Sequence, residues 1–409
     1  MNALRFAFCT GAAIAILAGC GGGSGTPLSA SPTGPSTALR MTTAERMRVR
    51  PTYNVLYSFK GGSGDGAYPW LGLLTDVKGT IYSTTTGGRA TECDGRGRGT
   101  VFSITTSGTE TVLHSFANEP DGARPLAGLI SVNGTLYGTT ETGGAKHRGT
   151  VFSITTAGTE TVLHSFGGNS DDGATPLAAL LNVNGTLYGT TFYEGTNKRG
   201  TVFKVTTAGT ETVLYSFKSS GDGKNPQAGL ININGTLYGT TEAGGANRKG
   251  TVFSITTSGT ETVLYSFKGS TYHDGSYPLA ALLNVNGTLY GTTEGGGAND
   301  KGTVFAITRS GAETVLHSFG GSGDGEFPDA ALITVNDKLY GTTAQGGASG
   351  HGAVFAITTP GAETVLHSFK GTPDGAHPYS GLLNVKGKLY GTTRYDGAYD
   401  CGTVFALTP

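Results

Sequence analysis

Charge is scarce in this 409-residue chain: Asp, Glu, Lys and Arg make up 14% of it, where an ordinary globular domain carries roughly 25%. The 28 Lys and Arg nearly cancel the 29 Asp and Glu, leaving a net charge of -1 and no basic excess that would suit nucleic acid. There are four cysteines, none in a paired metal-binding motif, and a single tryptophan. No GxSxG, HExxH or Walker loop occurs, so no ready-made catalytic, metal or phosphate-binding constellation is present and no cofactor is expected. Past the first twenty residues no stretch is long and apolar enough to span a membrane. What the chain has in excess is glycine, 70 residues without a three-residue period, which rules out collagen. Hydrophobic residues at 36% and aromatics at 9% supply a core and argue against disorder. The length exceeds the roughly 250–300 residues of a single core, so the chain is either multidomain or modular.

Residues 1–20 read MNALRFAFCTGAAIAILAGC, with Arg5 ahead of a short apolar run that ends in Leu17-Ala18-Gly19-Cys20. The run is too short for a permanent membrane helix. Its end resembles the bacterial lipoprotein signal, which implies that residues 1–19 are removed and that Cys20 becomes the lipidated N-terminus. Gly21 follows in place of the Asp that often retains such proteins at the inner membrane. The expectation is an outer-membrane lipoprotein, on the periplasmic side or at the cell surface, with the lipid as its membrane contact. Residues 20–50, rich in Gly, Ser, Pro and Thr, read as a flexible tether.

Residues 51–409 repeat one unit. Ser-Phe recurs at Phe59, Phe116, Phe166, Phe217, Phe267, Phe319 and Phe369, a period of about 50 residues that suits kelch-type propeller blades. The second copy carries four strand signals: strand A over 126–132, B over 135–140, C over 150–155 and D over 161–166. Asn133-Gly134 joins A to B with the strongest short hairpin signal, because both positions tolerate positive φ. The centre of strand A is Gly72, Gly128, Ala179, Gly229, Ala281, Ala331 and Gly381 in successive copies, small enough for strands crowded about an axis. Fourteen of the 18 phenylalanines fall at Val-Phe or Ser-Phe and belong to the core. The fold class is therefore all-β, a seven-bladed β-propeller with four antiparallel strands per blade.

Strand order predicts how the ring closes. A seventh D strand, residues 53–59, precedes the first A strand, and the last A-B-C set ends the chain without one. Closure therefore requires 53–59 to complete blade 7 beside 403–407, which removes the exposed edges of an open array. The same closure makes the B–C loops holding Cys93 and Cys401 neighbours, so an oxidising compartment favours a disulfide between them.

The pattern DGxxPxxGLxxxNGxLYGTTxxGG…GTVFxxTxxGxExVLxSF resembles the GloVer tandem-repeat family of bacterial envelope proteins, over residues 54–409 and in all seven copies. The resemblance implies a propeller at the surface or in the periplasm. It carries over no activity and no functional residue.

The A–B and C–D turns on one face are too tight to form a pocket. The B–C and D–A loops on the other face differ between copies and are free to carry binding. Asp65, Asp121, Asp172, Asp222, Asp274, Asp324 and Asp374 recur there before glycine, and their sevenfold repetition reads as turn structure. His114, His164, His317 and His367 alternate with Tyr57, Tyr215 and Tyr265 at one strand D position, which reads as packing and not ligation. The residues flanking the D–A proline vary and should rim the channel mouth. The candidate site comprises Tyr68, Trp70, Arg124, Gln227, Tyr277, Phe327, Asp329, His377 and Tyr379, with Tyr395 and Tyr399 from the blade 7 B–C loop. Flat rings with polar tips suit sugars or a protein partner. The leading reading is a monomeric envelope module that binds or scaffolds a polysaccharide or an envelope protein. The second is a carbohydrate lyase or hydrolase at the same mouth, with rim His, Arg and Tyr as its acid and base groups.

Overall fold

The computed structural model describes residues 50–409 except 63, 73, 89–96 and 219–220. The expectations for the leader, Cys20, the tether and Cys93 lie outside the described residues. Seven four-stranded antiparallel sheets follow one another along the chain. In blade 2 strand A is Ile130–Val132, B Thr135–Thr140, C Thr150–Thr155 and D Glu160–Ser165. The blades span 75–115, 130–165, 181–216, 231–266, 283–318 and 333–368, and the seventh runs over 383–408. Its outer strand is Thr52–Ser58, paired antiparallel with Thr403–Thr408. The N-terminal strand thus closes the ring as the strand order requires.

The repeat's residue choices follow from local geometry. Asn133 and Gly134 have φ of 52° and 84°, the two-residue turn whose twist matches the flanking strands. Gly138, in strand B, leaves no room for a methyl group: its Cβ would fall 2.7 Å from the Phe152 ring and 2.8 Å from Leu129. The space it vacates is filled by the phenylalanine belt. Each Ser-Phe ring meets the Val-Phe ring of the next blade edge-on, from Phe116–Phe152 at 5.2 Å to Phe369–Phe405 at 5.3 Å, and Phe59–Phe102 at 5.2 Å completes the circle. All fourteen rings are at most 1% exposed, each contributing about 1.5–3 kcal/mol by burial.

Threonines join the blades as well. In Tyr-Gly-Thr-Thr the first threonine reaches the next blade's inner strand, as from Thr139 Oγ1 to the Ala178 carbonyl and from Thr190 Oγ1 to the Ala228 carbonyl, both 3.1 Å. The second threonine bonds the strand C threonine of its own blade, Thr140 to Thr150 at 2.9 Å.

Strand D begins and ends one residue earlier than expected, Glu160–Ser165 and not 161–166, and two larger features also differ from the sequence reading. Strand A is regular only over its last three residues, 130–132 in blade 2 and not 126–132. Nearer the axis the chain leaves strand B and approaches the neighbouring blade instead, as in the parallel bridge between Leu71 and Ala127. Crowding there is real, since a Cβ on Gly229 would lie 3.3 Å from the Ala179 carbonyl. The second feature is a two-residue ladder between the D–A and B–C loops, Gly122–Ala123 with Thr142–Gly143 in blade 2, which the sequence reading lacks. It is too short to carry a periodic signal.

Candidate functional site

The residues expected at the channel mouth sit on a clamp repeated at every blade junction. The residue before each D–A proline takes a left-handed backbone, with φ between 55° and 60° at Tyr68, Arg124, Thr175, Asn225, Tyr277, Phe327 and His377. Such a conformation is strained for bulky residues, and two hydrogen bonds hold it. Tyr68 N–H donates to the Cys401 carbonyl at 2.8 Å, and the Tyr68 carbonyl accepts from Thr86 N–H at 3.1 Å. The same pair fixes His377, between the His351 carbonyl and Arg394 N–H. Each clamp brings the residue after strand B's Thr-Thr to the rim: Thr86, Glu141, Phe192, Glu242, Glu294, Ala344 and Arg394. This second ring is the part of the site that sequence reasoning missed. Its signal was available, because the position varies between copies as freely as the residues flanking the proline.

Arg394 organises the seam between blades 7 and 1. Its guanidinium lies 3.3 Å from the Trp70 ring centroid, 4.7 Å from Tyr395 and 5.7 Å from Tyr379. Trp70 and Tyr379 are tilted together at 5.7 Å, and Tyr68 and His377 meet Tyr395 edge-on at 5.6 and 5.8 Å. His377 Nδ1 also bonds the Ala344 carbonyl at 2.8 Å. Five predicted residues (Tyr68, Trp70, His377, Tyr379 and Tyr395) thus converge on an arginine that was not predicted. Burial pulls the Arg394 pKa down, with Arg124 adding to the effect, and its Nε is buried without a hydrogen-bond partner. Asp329, at its own blade junction, is buried with an unpartnered Oδ1. Burial, reinforced by Glu294, pushes the Asp329 pKa well up, and burial raises Glu294 too. Tyr379 is pushed up to about 12 by burial and by Asp329, with Arg394 opposing the shift.

The remaining predicted residues stand apart from this cluster. Tyr277 and Phe327 lie under Lys249 and Lys301, at 5.0 and 4.7 Å. Arg124 pairs with Glu141 at 3.0 Å. Gln227 is half-buried, four residues ahead of its inner strand Ile231–Ile233. Tyr399 is 53% exposed, 5.8 Å from the Lys60 ammonium. Cys401 is fully buried and disulfide-bonded.

The repeated aspartates close turns, as expected, and do more. Asp274 Oδ1 accepts from Gly275 N–H at 2.6 Å, while Oδ2 accepts from Lys268 N–H and from Tyr265 Oη, both at 2.8 Å. In the copies with histidine, Nε2 takes the place of the phenol, 3.0 Å from Oδ2 in His114–Asp121, His317–Asp324 and His367–Asp374. Packing alone was the wrong account of the His/Tyr interchange, because what the two residues share is a donor aimed at this carboxylate.

A glutamate from strand D of the next blade faces each cluster except the last, where Tyr53 stands at that position. Tyr53 stacks on His367 at 3.7 Å and donates to the Asp374 carbonyl at 2.6 Å. Burial, with the adjacent Asp adding to it, pushes Glu110, Glu160, Glu211, Glu261, Glu313 and Glu363 up to about 7. A folded-state pKa above the ordinary 4.5 gives stability that is complete below pH 4.5 and lost as pH rises through about 7. Screening at these half-exposed groups leaves about 0.5 kcal/mol each. The thermal midpoint should therefore fall on the order of 4 °C from pH 5 to pH 8. Glu110→Gln, Glu261→Gln and Glu313→Gln together, at interfaces that hold tyrosine and no histidine, should remove about half of that fall. Calorimetry at both pH values measures it, and an unchanged slope in the triple variant would refute the assignment.

Fold and site together define a seven-bladed propeller closed by its N-terminal strand, with an aromatic cluster around Arg394 on its loop side. The chain belongs to the Gloeobacter/Verrucomicrobia repeat family, which matches residues 21–248, 90–295 and 230–409. No curated protein matches it. Among solved structures it is similar to a puromycin-hydrolysing peptidase of Mycobacterium tuberculosis, at 12% identity over 81% of this chain and 52% of that one, with a TM-score of 0.50. A puromycin hydrolase gives 13% identity, 81% and 50% coverage and a TM-score of 0.50. The periplasmic gluconolactonase of Pseudomonas aeruginosa gives 14% identity, 76% and 93% coverage and a TM-score of 0.46. The chain spans about half the length of the two puromycin-hydrolysing proteins, and at such identities the likeness is one of fold alone.

Proposed function

We propose that the protein is a binding module of the bacterial envelope, tethered by a lipid on Cys20, that holds a glycan at its channel mouth. The observation that carries this reading is the packing of Trp70, Tyr379 and Tyr395 around the Arg394 guanidinium. Aromatic rings offer flat apolar faces to sugar C–H groups while their polar tips accept or donate hydrogen bonds. A partly desolvated arginine held among them favours a sugar bearing a carboxylate over a neutral one, because the guanidinium presents a bidentate fork to that group. On a glycan array, the full chain should bind acidic polysaccharides, and Trp70→Ala should weaken that binding at least about tenfold. Tyr272→Ala, a 68% exposed aromatic outside the cluster, serves as the control. Equal loss in both variants, or none in Trp70→Ala, would count against the site.

The lyase or hydrolase reading has one observation in its favour: Asp329 and Glu294 are two carboxyls whose pKa values are raised together beside Tyr379. Such a pair is the raw material of acid–base chemistry. Release of polysaccharide fragments that is lost in Asp329→Asn would support this reading over simple binding.

A further inference from the structure

Strand D of blade 2 and strand D of blade 3 enclose a group of side chains that the mouth does not use. His164 is the last but one residue of the first strand, Glu211 begins the second, and Asp172 sits in the D–A loop that follows the first. One donor atom from each lies within 4.8 Å of the other two. The same triad recurs as His114–Asp121–Glu160 and His317–Asp324–Glu363, but there a 3.0 Å hydrogen bond joins histidine to aspartate.

At His164 that bond is missing. Nε2 stands 3.4 Å from Asp172 Oδ2, and His164 Nε2, Asp172 Oδ1 and Glu211 Oε1 are all buried without a hydrogen-bond partner. Asp172 is only 3% exposed, so water cannot readily compensate its bare oxygen. In the other triads the second oxygen is satisfied, as Asp121 Oδ1 is by Gly122 N–H at 2.8 Å. The loop here is one residue longer than at His114, with six steps from Phe166 to Asp172 against five from Phe116 to Asp121. It places Asp172 Oδ2 on two backbone N–H groups, Gly167 at 2.7 Å and Gly168 at 3.0 Å.

An unpartnered Oε1 is common to all six facing glutamates, but only here do a bare imidazole nitrogen and a bare aspartate oxygen join it, and the three together call for a cation that accepts nitrogen and oxygen. Metal–ligand bonds of about 2.0–2.1 Å at a tetrahedral ion put neighbouring donors about 3.3 Å apart, and one donor atom each of His164, Asp172 and Glu211 lies within 4.8 Å of the other two, a short closure from that geometry. We propose that the His164–Asp172–Glu211 junction is a binding site for a divalent transition-metal ion of the Zn²⁺ class, with water as the fourth ligand. Glu211, on a flexible stem, closes onto the ion, and the ion ties blade 2 to blade 3. Calcium is a poor fit, because it requires six to eight oxygens.

The chain supplies its own control. Tyr57, Tyr215 and Tyr265 occupy the His164 position at other junctions and donate to the corresponding aspartate at 2.8–2.9 Å. His164→Tyr should therefore fold with the wild-type midpoint in chelator while losing the imidazole ligand. The full chain, stripped with EDTA and titrated calorimetrically with Zn²⁺, should bind one equivalent that His164→Tyr lacks and that Glu211→Gln binds at least tenfold more weakly. Zn²⁺ should raise the thermal midpoint of the wild type and not of His164→Tyr, and Ca²⁺ should not compete. The same Zn²⁺ stoichiometry in wild type and His164→Tyr, or no Zn²⁺ uptake by the wild type, would overturn the proposal.

Discussion

A chain lacking residues 51–59 is expected to lose cooperative folding altogether. Thr52–Ser58 is the outer strand of blade 7 and the closing element of the ring. Its removal deletes Phe59, fully buried against Phe102, and loss of one such ring costs about 3–5 kcal/mol. It also deletes Tyr53, stacked on His367, and Tyr57, whose hydroxyl donates to Asp65 at 2.9 Å. With Leu56, which packs on the same core, the loss reaches on the order of 10 kcal/mol, comparable to the whole stability of a typical domain. The freed strand Thr403–Thr408 would present Val404 and Phe405 along an unpaired edge, an invitation to aggregate. Circular dichroism melts and size-exclusion chromatography test this. A truncated chain that stays monodisperse and keeps its thermal midpoint would show that closure contributes little.

That prediction was legible in the sequence because counting strands needs no coordinates. Strands B and C of blade 2 were readable to the residue, since Asn133-Gly134 fixes one end of the hairpin and the Val-Phe alternation sets the register of its neighbour. The inner strand was over-read. Residues 126–129 have the small-residue pattern of a crowded strand, but the crowding comes from the adjacent blade, and backbone pairing between neighbouring blades leaves no trace in local periodicity.

The site was partly legible for a related reason. Variation between copies marked Trp70, Tyr379 and their companions as free to specialise. Arg394 is harder to see, because it follows the Thr-Thr repeated in every strand B and the pattern there suggests only the start of a loop, whereas its N–H is clamped to the His377 carbonyl at 3.1 Å. The His/Tyr alternation misled in the opposite direction. Composition shows two aromatic rings, whereas only geometry shows that both donate to one carboxylate and that His164 fails to do so.

Substituting Gly402 by alanine is expected to cost about 3 kcal/mol and to disturb the mouth from beneath. Gly402 has φ of +94°, and a Cβ there would fall 2.4 Å from the Thr393 carbonyl oxygen and 2.8 Å from Pro69 Cδ. A side chain at such a φ costs about 1–2 kcal/mol, and forcing a methyl into a filled space adds about 1–3. For a ring of this size the thermal midpoint should drop on the order of 4 °C. Gly250→Ala is the matched case, with φ of +95° and a Cβ 2.5 Å from Pro278 Cδ, and should lose about as much. The two differ in what they displace. Both carbonyls accept a Ser-Phe N–H, Phe59 at 3.0 Å for Gly402 and Phe267 at 3.1 Å for Gly250, but a side chain at Gly402 presses on Pro69, the residue before Trp70, whereas Pro278 precedes Leu279, away from the Arg394 cluster. Equal destabilisation with glycan binding weakened only in Gly402→Ala would tie the aromatic platform to the backbone clamp that carries it. A midpoint within about 1 °C of wild type in Gly402→Ala would refute the clamp itself, because no backbone at that φ accepts a methyl group against a carbonyl without moving.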